Sequence, residues 1–227
     1  MPTEWLLATQ GDPLGAVRRL VAGLWRRAGL AGFLVPAVDD AADDAPRLLE
    51  DAGELQTVNP FRPLMRSSTA RFVPDLTRAR PAARLGVLAR PCEMRALLEM
   101  AGHAGFGLDR LVTVSVDCLS TLPPGDYARL AASRAAGADL GDEAVRFARQ
   151  GGISPYRFRA ACQMCATPAA RDADVNVGVL GMPVREWLLV SARDPATAAR
   201  LDPGVLCDGP ATPALTGARA RIFAQVV

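Results

Sequence analysis

The segment LGVLARPCEM, residues 85–94, is the part of the sequence that predicts the fold most directly. Leu85–Ala89 is a short apolar run typical of a buried strand, and Pro91 is well suited to the first position of a helix. We therefore expect a strand over 85–89 and a helix over 92–101. Cys92 would then lie at the amino end of a helix and just past the end of a strand. Ligand sites of α/β proteins occur at such points, and the helix dipole there favours a thiolate.

The same pattern returns in LVTVSVDC, residues 111–118. The run over 111–116 is rich in β-branched residues, which predicts a second buried strand, and Cys118 follows it almost directly. If the two strands are parallel neighbours, Cys92 and Cys118 lie at the same edge of the sheet.

Other apolar runs and turn signals complete an α/β pattern. A mostly parallel sheet flanked by helices, in a single domain over residues 1–227, is the arrangement that this alternation predicts. Further strands are predicted over Trp5–Thr9, Phe33–Val38, Val175–Val179, Trp187–Ser191 and, at the edge, Arg221–Val226. Further helices are predicted over Leu14–Ala28 with Gly29 as the C-cap, Leu48–Leu55, Tyr127–Ala136, Glu143–Gln150 and Pro195–Leu201.

Composition narrows the classes of function. The chain of 227 residues is 50% hydrophobic, enough for a sizeable core. All 26 basic side chains are arginines, but the net charge of +2 and the lack of a basic run with aromatics argue against nucleic acid binding. No apolar run reaches the roughly 18 residues of a spanning helix, and the first residues do not resemble a signal peptide, so we expect a cytoplasmic protein without a membrane span.

A Cys-x-x-Cys motif, Cys162 and Cys165, lies between Tyr156 and Pro183. With Cys92 and Cys118 it makes a set of four thiolates, which suits either an iron–sulfur cluster or zinc. Structural zinc sites usually have two compact pairs, and a thioredoxin-like dithiol starts a helix nearer the amino terminus, so both fit the spacing less well. The arginines that could compensate the negative charge of the thiolates are Arg90, Arg157 and Arg159.

The segment over residues 59–81 predicts an irregular connector, because it contains four prolines. Arg66, Ser67, Ser68 and Thr69 lie within it, and guanidinium and hydroxyl groups on a loop suit a phosphate or pyrophosphate. A solvated basic connector is the alternative. Three further features are interpreted as structural or incidental. They are the acidic run 39–44 as a surface loop, His103 as a structural residue of a glycine-rich loop, and Cys207 as a thiol outside the proposed set.

Three of these motifs, in order, resemble the C-terminal region of the beta subunit family of coenzyme F420-reducing hydrogenase and formate dehydrogenase. They are a strand leading into Arg90–Leu97, a strand leading into Cys118, and Arg159–Cys165 followed by Ala173-Asp174-Val175 and Gly178. The resemblance covers residues 85–181, and the flanks do not match.

The resemblance implies an iron–sulfur flavoprotein of a larger redox complex, an oxidoreductase subunit rather than a stand-alone enzyme. Cys92, Cys118, Cys162 and Cys165 would ligate one [4Fe–4S] cluster. Its partners would be a ferredoxin-like protein or the catalytic subunit of a hydrogenase, formate dehydrogenase or heterodisulfide-reductase type enzyme. FAD would bind at Arg66, Ser67, Ser68 and Thr69, or a flavin would belong to a partner. A structural subunit with a four-cysteine zinc site, and a thiol-redox enzyme using Cys162 and Cys165, are the alternatives.

Overall fold

The computed structural model describes residues 3–36, 45–104, 106–134, 139–148 and 158–226. Eight strands within these ranges form one sheet. The strands are Glu4–Ala8 (β1), Gly32–Val35 (β2), Arg47–Leu49 (β3), Leu85–Ala89 (β4), Leu111–Val116 (β5), Val175–Gly178 (β6), Trp187–Ala192 (β7) and Gly209–Pro210 (β8). The helices are Pro13–Ala28 (α1), Val73–Ala79 (α2), Pro91–Ala104 (α3), Pro124–Ala132 (α4), Leu140–Phe147 (α5), Ala160–Gln163 (α6), Pro195–Leu201 (α7) and Pro213–Val226 (α8). Short 3-10 helices span Ala52–Thr57, Thr69–Phe72 and Pro203–Leu206.

The sheet is mixed, with its parallel strands in the middle. Its order is β3-β2-β4-β5-β6-β7-β1-β8. Strands β2, β4, β5 and β6 are mutually parallel, whereas β3, β7, β1 and β8 each run antiparallel to the neighbour through which they join. The predicted α/β class, with a mostly parallel sheet flanked by helices, is thus confirmed for the centre of the sheet. Strand β1 does not pair with β2, because α1 carries the chain from the far side of the sheet, where β1 lies against β7.

Apolar side chains cover both faces of the sheet. Val112, Val114 and Val116 of β5 belong to the core cluster that also contains the buried face of α1. Leu111, at the start of the same strand, belongs to the opposite cluster, together with Met94 and Leu97 of α3. The central strands are therefore buried on both faces, as parallel strands usually are. Over the described ranges, none of the helices combines the length and the apolar character that a bilayer crossing needs.

Several predicted elements are observed with shifted bounds. The strand predicted over 33–38 is β2, which ends at Val35, and the acidic run 39–44 lies outside the described residues. Helices α4 and α5 each begin three residues before their predicted starts. Pro124 opens α4, and the Asp139 side chain accepts the Gly141 N–H at 2.7 Å to cap α5. The predicted C-cap of α1 is confirmed, since Gly29 is left-handed with φ of 59°.

The prediction of a helix over Leu48–Leu55 is wrong. Arg47–Leu49 instead forms β3, which pairs with β2 through Phe33 and Leu49. The Asp51 side chain then accepts the Gly53 N–H at 2.8 Å and starts a 3-10 helix. Pairing with a strand that is distant along the chain overrides the local preference for helix here.

The prediction of a last edge strand over Arg221–Val226 is also wrong, because those residues form the end of α8. The helix begins at Pro213, and the Thr212 carbonyl accepts the N–H groups of Leu215 and Thr216 at 3.1 Å each. Its central Arg219 turns toward the sheet and is 9% exposed.

The carboxylate of Asp117 is the point at which α8 meets the sheet. Asp117 follows β5 and is 3% exposed. Arg219 donates to both of its oxygens, at 2.5 and 2.9 Å. The Asn176 amide and the backbone N–H groups of Val179 and Leu180 donate to it as well, at 3.1, 2.9 and 3.1 Å. The ends of β5 and β6 and the last helix are thereby fixed to one another.

Two glycines leave room for this arginine. A Cβ atom at Gly178 would lie 2.7 Å from the Arg219 guanidinium carbon. One at Gly181, where φ is +74°, would lie 2.8 Å from the Arg219 Cα. A side chain at Gly181 would therefore displace α8, whereas one at Gly178 would push the Arg219 guanidinium away from its position beside Asp117.

We expect Arg219→Met to reduce the free energy of unfolding by about 3 kcal/mol, because it leaves the Asp117 carboxylate buried without a countercharge. Urea denaturation followed by circular dichroism measures the loss. Arg221→Met is the matched control, since Arg221 is exposed on the same helix, and it should change stability by less than about 0.5 kcal/mol. Equal effects of the two substitutions would contradict the importance of the ion pair.

Candidate functional site at the carboxyl edge of the sheet

Two of the predicted thiols lie at adjacent strand ends. Strands β4 and β5 pair in parallel from Leu85↔Leu111 to Ala89↔Ser115, so both end at the same edge of the sheet. Cys92 is the second residue of α3, directly after β4, and its surface is exposed. Cys118 follows β5 and donates its backbone N–H to the Pro168 carbonyl at 2.7 Å. The predicted adjacency of the two strands is confirmed.

The Cys-x-x-Cys segment is tied to the same edge by Thr121. The Thr121 carbonyl accepts the Arg159 N–H at 3.0 Å, just before the short helix α6 that contains Cys162. Its Oγ1 also lies 3.2 Å from the Cys162 Sγ, and either atom could be the donor. Cys165 follows one turn later, with its N–H 3.3 Å from the Cys162 carbonyl. The segment ends at Pro168, whose carbonyl accepts the Cys118 N–H.

The pKa values of Cys92 and Cys118 depend on their burial and on neighbouring charges. Burial is the largest cause that raises the pKa of Cys118, to about 12, and negative charge on Cys92 or Cys162 raises it further. Arg90 and a hydrogen bond from the Ser120 backbone act in the opposite direction. The pKa of Cys92 is also raised, first by desolvation of its thiol and then by Glu93, with Cys162 adding to the effect. The pKa of Cys118 thus depends on Cys92 and Cys162, and that of Cys92 depends on Cys162.

The structure leaves the ligand set as a prediction. Over the described ranges, no group of three or more His, Cys, Asp or Glu side chains is arranged to hold a metal ion. The donor atoms nevertheless fit an iron–sulfur cluster in kind, because they are cysteine thiols from three segments that meet at one edge. Cys165 is on the same segment as Cys162 and has no described effect on Cys92 or Cys118.

Glu93 fixes the start of α3, which carries Cys92. Its carboxylate accepts the Arg90 N–H at 2.8 Å, as the third residue of a helix does in a capping box. The other oxygen accepts the Thr69 N–H at 2.6 Å, and Glu93 is 2% exposed. The Arg90 guanidinium meanwhile donates to the carbonyls of Arg62 and Leu64, at 2.8 Å each. These bonds hold the connector against the strand ends. The spacing of Glu93 from Arg90 is the sequence signal that would have revealed this role.

Arg90 contributes to the electrostatics of the thiols, and the roles of Arg157 and Arg159 there stay predictions. Arg90 lowers the pKa of both Cys92 and Cys118, and so does Arg95 for Cys92, a contribution that the sequence analysis missed. Arg159 donates to the Met65 carbonyl at 2.5 Å. Arg157 lies outside the described residues.

An open cleft lies beside the cysteines at the same edge. Pro36, which follows β2, and Arg90, which follows β4, contribute to its walls. The complete lining is Pro36, Asn59, Arg62, Leu64, Met65, Arg66, Ser67 and Arg90. It thus combines three arginines with an amide and a hydroxyl. Arg62 is positioned by α4, because its Nε donates to the Tyr127 hydroxyl at 2.9 Å and its guanidinium lies over the Tyr127 ring.

The four predicted cofactor-binding residues are separated by the structure. Arg66 and Ser67 line the cleft. Ser68 precedes the 3-10 helix Thr69–Phe72, and Thr69 is fully buried with its hydroxyl unpaired. Asn59 and Arg90 are cleft residues that the sequence analysis did not assign to a ligand. Two other arginines of the connector, Arg78 and Arg80, pair instead with surface carboxylates.

The remaining candidates lie away from the edge. His103 was predicted in a glycine-rich loop, but α3 extends through it, and its exposed ring lies 3.8 Å from the Glu99 carboxylate. Cys207 follows the 3-10 helix Pro203–Leu206 and packs partly buried against the core. Burial raises the pKa of its thiol to about 12, and the Asp208 carboxylate adds to the shift.

Comparisons with known proteins give a likeness of fold. No protein family model and no curated protein matches the sequence. Among solved structures, the chain is similar to one chain of the F420-reducing [NiFe] hydrogenase complex from Methanosarcina barkeri. The TM-score is 0.68 at 14% sequence identity, over 99% of this chain and 89% of the other. At this identity the likeness shows a shared fold with a component of a multisubunit hydrogenase complex.

We expect the Cys207 thiol to react slowly with iodoacetamide, because at pH 8 a pKa of about 12 lowers its thiolate fraction on the order of a thousandfold. The greater nucleophilicity of a high-pKa thiolate offsets part of this, so alkylation should be roughly ten- to a hundredfold slower than that of glutathione. The rate should rise about tenfold per pH unit from pH 7 to 9.5, because deprotonation stays incomplete throughout. Peptide mass spectrometry measures it, and a plateau near pH 8.5 would contradict the raised pKa.

Proposed function

We propose that this chain is an iron–sulfur electron-transfer subunit of a multisubunit oxidoreductase, of the hydrogenase, formate dehydrogenase or heterodisulfide-reductase type. Its [4Fe–4S] cluster would be held by Cys92, Cys118, Cys162 and Cys165. The observation that carries the proposal is the arrangement of three cysteine-bearing segments at one edge of the sheet. Cys92 and Cys118 follow the paired strands β4 and β5, and the Cys162 sulfur lies 3.2 Å from the hydroxyl of Thr121, three residues after Cys118. Cys165, one turn beyond Cys162, supplies the fourth thiol of the set.

Two arginines near these thiols favour the thiolate form and oppose the burial that raises the pKa of Cys92 and Cys118. A [4Fe–4S] cluster supplies the uptake and release of single electrons when it is bound. Arg90 and Arg95 favour the charged form of the thiols next to them. Arg90 does so from a fixed position, since its guanidinium is bound to two backbone carbonyls of the connector. The fold thus places fixed positive charge where four negative ligands would collect.

The exposed face of the Cys-x-x-Cys segment is suited to contact with a redox partner. Met164, between the two cysteines, is 78% exposed. Ala160, Ala161 and Ala166 of the same segment are exposed as well. Large apolar side chains with this exposure are uncommon on the described surface, which supports a partner that docks close to the cluster. The fold shared with a component of a multisubunit complex supports the same conclusion.

We expect protein purified without oxygen to be brown and to contain about four iron and about four sulfide per chain, because a cubane cluster takes four cysteine thiolates. Iron and sulfide analysis with electron paramagnetic resonance of the reduced protein checks this. Cys118→Ala should lose most of the iron, whereas Cys207→Ala is the matched control and should retain it.

Colourless protein with stoichiometric zinc would contradict the proposal and would favour the structural zinc subunit instead. Iron retained equally by the Cys118 and Cys207 variants would show that the cluster has other ligands.

The cleft next to the cysteines is our proposed site for the pyrophosphate of FAD. Guanidinium groups bind phosphate oxygens through paired charge-assisted hydrogen bonds, and the Ser67 hydroxyl adds a neutral donor. Arg90 lines this cleft and also acts on Cys92 and Cys118, so flavin and cluster would be close enough to exchange electrons. Of the predicted residues, Arg66 and Ser67 fit this role, whereas Ser68 and Thr69 would act by shaping the loop.

We expect Arg66→Ala to weaken FAD binding about ten- to a hundredfold, because it removes hydrogen bonds to a charged group. Fluorescence quenching of FAD by the purified protein measures the dissociation constant. Arg78→Ala is the control, since Arg78 is on the same connector but pairs with Asp75 at the surface. Equal dissociation constants for the two variants would contradict the cleft as the site, and no binding by the unmodified chain would assign the flavin to a partner.

A further inference from the structure

We propose that Thr121 is a positioning residue that raises the reduction potential of the cluster by donating a hydrogen bond to the Cys162 sulfur. The inference rests on the proposed function and adds a specific residue to it. Thr121 is not one of the four cysteines and belongs to none of the motifs that suggested the site. Its hydroxyl lies 3.2 Å from the Cys162 Sγ, across a separation of 41 residues.

The position of the Thr121 hydroxyl is fixed from several directions. The residue is 1% exposed. The preceding Ser120 is left-handed, with φ of 74°, and the following Leu122 donates its N–H to the Pro63 carbonyl at 2.9 Å. The Thr121 carbonyl itself accepts the Arg159 N–H at 3.0 Å. The backbone that carries the hydroxyl is therefore bound both to the connector and to the Cys-x-x-Cys segment.

Metal binding decides the direction of the hydrogen bond. A cysteine that ligates iron is a thiolate and has no proton to give. In the apoprotein either atom can donate, but beside a thiolate the proton between them belongs to the threonine hydroxyl. Because Thr121 is buried, water does not compete strongly for this donor.

A donor at this sulfur favours the reduced state. Reduction adds one electron, supplied here by a low-potential chemical reductant, and increases the negative charge shared by the ligand sulfurs. The Thr121 hydroxyl keeps its proton in both states, and its hydrogen bond is stronger to the more negative sulfur. Hydrogen bonds to the sulfurs are among the determinants of iron–sulfur potentials. Removing this one should therefore make the cluster harder to reduce.

The test compares Thr121→Val, Thr121→Ser and the unmodified chain by redox titration under argon, with electron paramagnetic resonance detecting the reduced cluster. Valine has the shape of threonine without the hydroxyl, and serine keeps the donor. We expect Thr121→Val to lower the equilibrium constant for reduction about tenfold, which is a shift of about 59 mV for one electron. Thr121→Ser should stay close to the unmodified potential. Thr167→Val is the matched control, because Thr167 is exposed on the same segment, and it should leave the potential unchanged.

The outcomes separate the two proposals. An unmodified chain without iron and sulfide overturns the proposed function, and the inference about Thr121 with it. A Thr121→Val protein with full iron and sulfide and an unchanged or higher potential overturns the inference alone.

If Thr121→Val does not retain its cluster, a spectroscopic measurement on the unmodified protein replaces the titration. An exchangeable proton hydrogen-bonded to a ligand sulfur should appear in its proton electron–nuclear double resonance spectrum, disappear in deuterium oxide, and persist in Thr121→Ser. The same spectrum without this proton overturns the inference.

Discussion

The buried carboxylate of Asp117 is the constraint on which the carboxyl edge of the sheet depends. It gathers five hydrogen bonds, from Arg219, Asn176 and the backbone at the turn after β6. A carboxylate at this depth would be strongly destabilising without these partners, so the positions of β6, α8 and the loop after β5 are set together. Cys118 is the next residue in the chain and takes its position from the same interaction.

A second buried carboxylate, that of Glu93, fixes the backbone at the end of β4 as Asp117 does at the end of β5. Glu93 caps α3 and receives the N–H of Thr69, so that the connector and the helix start move as one unit. Cys92 is the neighbouring residue in the sequence. Each strand-end cysteine is therefore adjacent in the chain to a buried acidic residue that accepts hydrogen bonds through both of its oxygens. Such an arrangement holds the thiols by the backbone and leaves their sulfur atoms available as ligands.

The sequence was most informative where structure is decided locally. Strands β4 and β5 could be predicted because each is a continuous apolar run followed at once by a turn, and Pro91 marked the start of α3 correctly. The short β3 was missed because only its pairing with β2 makes it a strand. The helix α8 was missed for a related reason, since its central residue is oriented by a carboxylate 102 positions away.

At the candidate site, too, contacts between residues distant in sequence could not be predicted. The sequence placed Cys92 and Cys118 at one edge, but it contained no signal for the contact between Thr121 and Cys162 or for the part that Asn59 and Arg90 play in the cleft. These relations arise when separate loops pack against each other. Residue type alone could suggest arginines for a phosphate, yet it could not distinguish Arg66, in the cleft, from Arg78, at the surface.

The distance in sequence between Asp117 and Arg219 also has a consequence for biosynthesis. A ribosome that adds about 5–20 residues per second makes Arg219 roughly 5–20 seconds after Asp117, because 102 residues separate them. During that interval the strands of the central sheet can pair, while the acidic group at their edge still lacks its cation and must stay hydrated. The loop that carries Cys118 therefore reaches its final position only after α8 has been synthesised and has docked. The cluster proposed for this edge would accordingly bind after α8 has docked, so that it would follow the folding of the edge instead of guiding it.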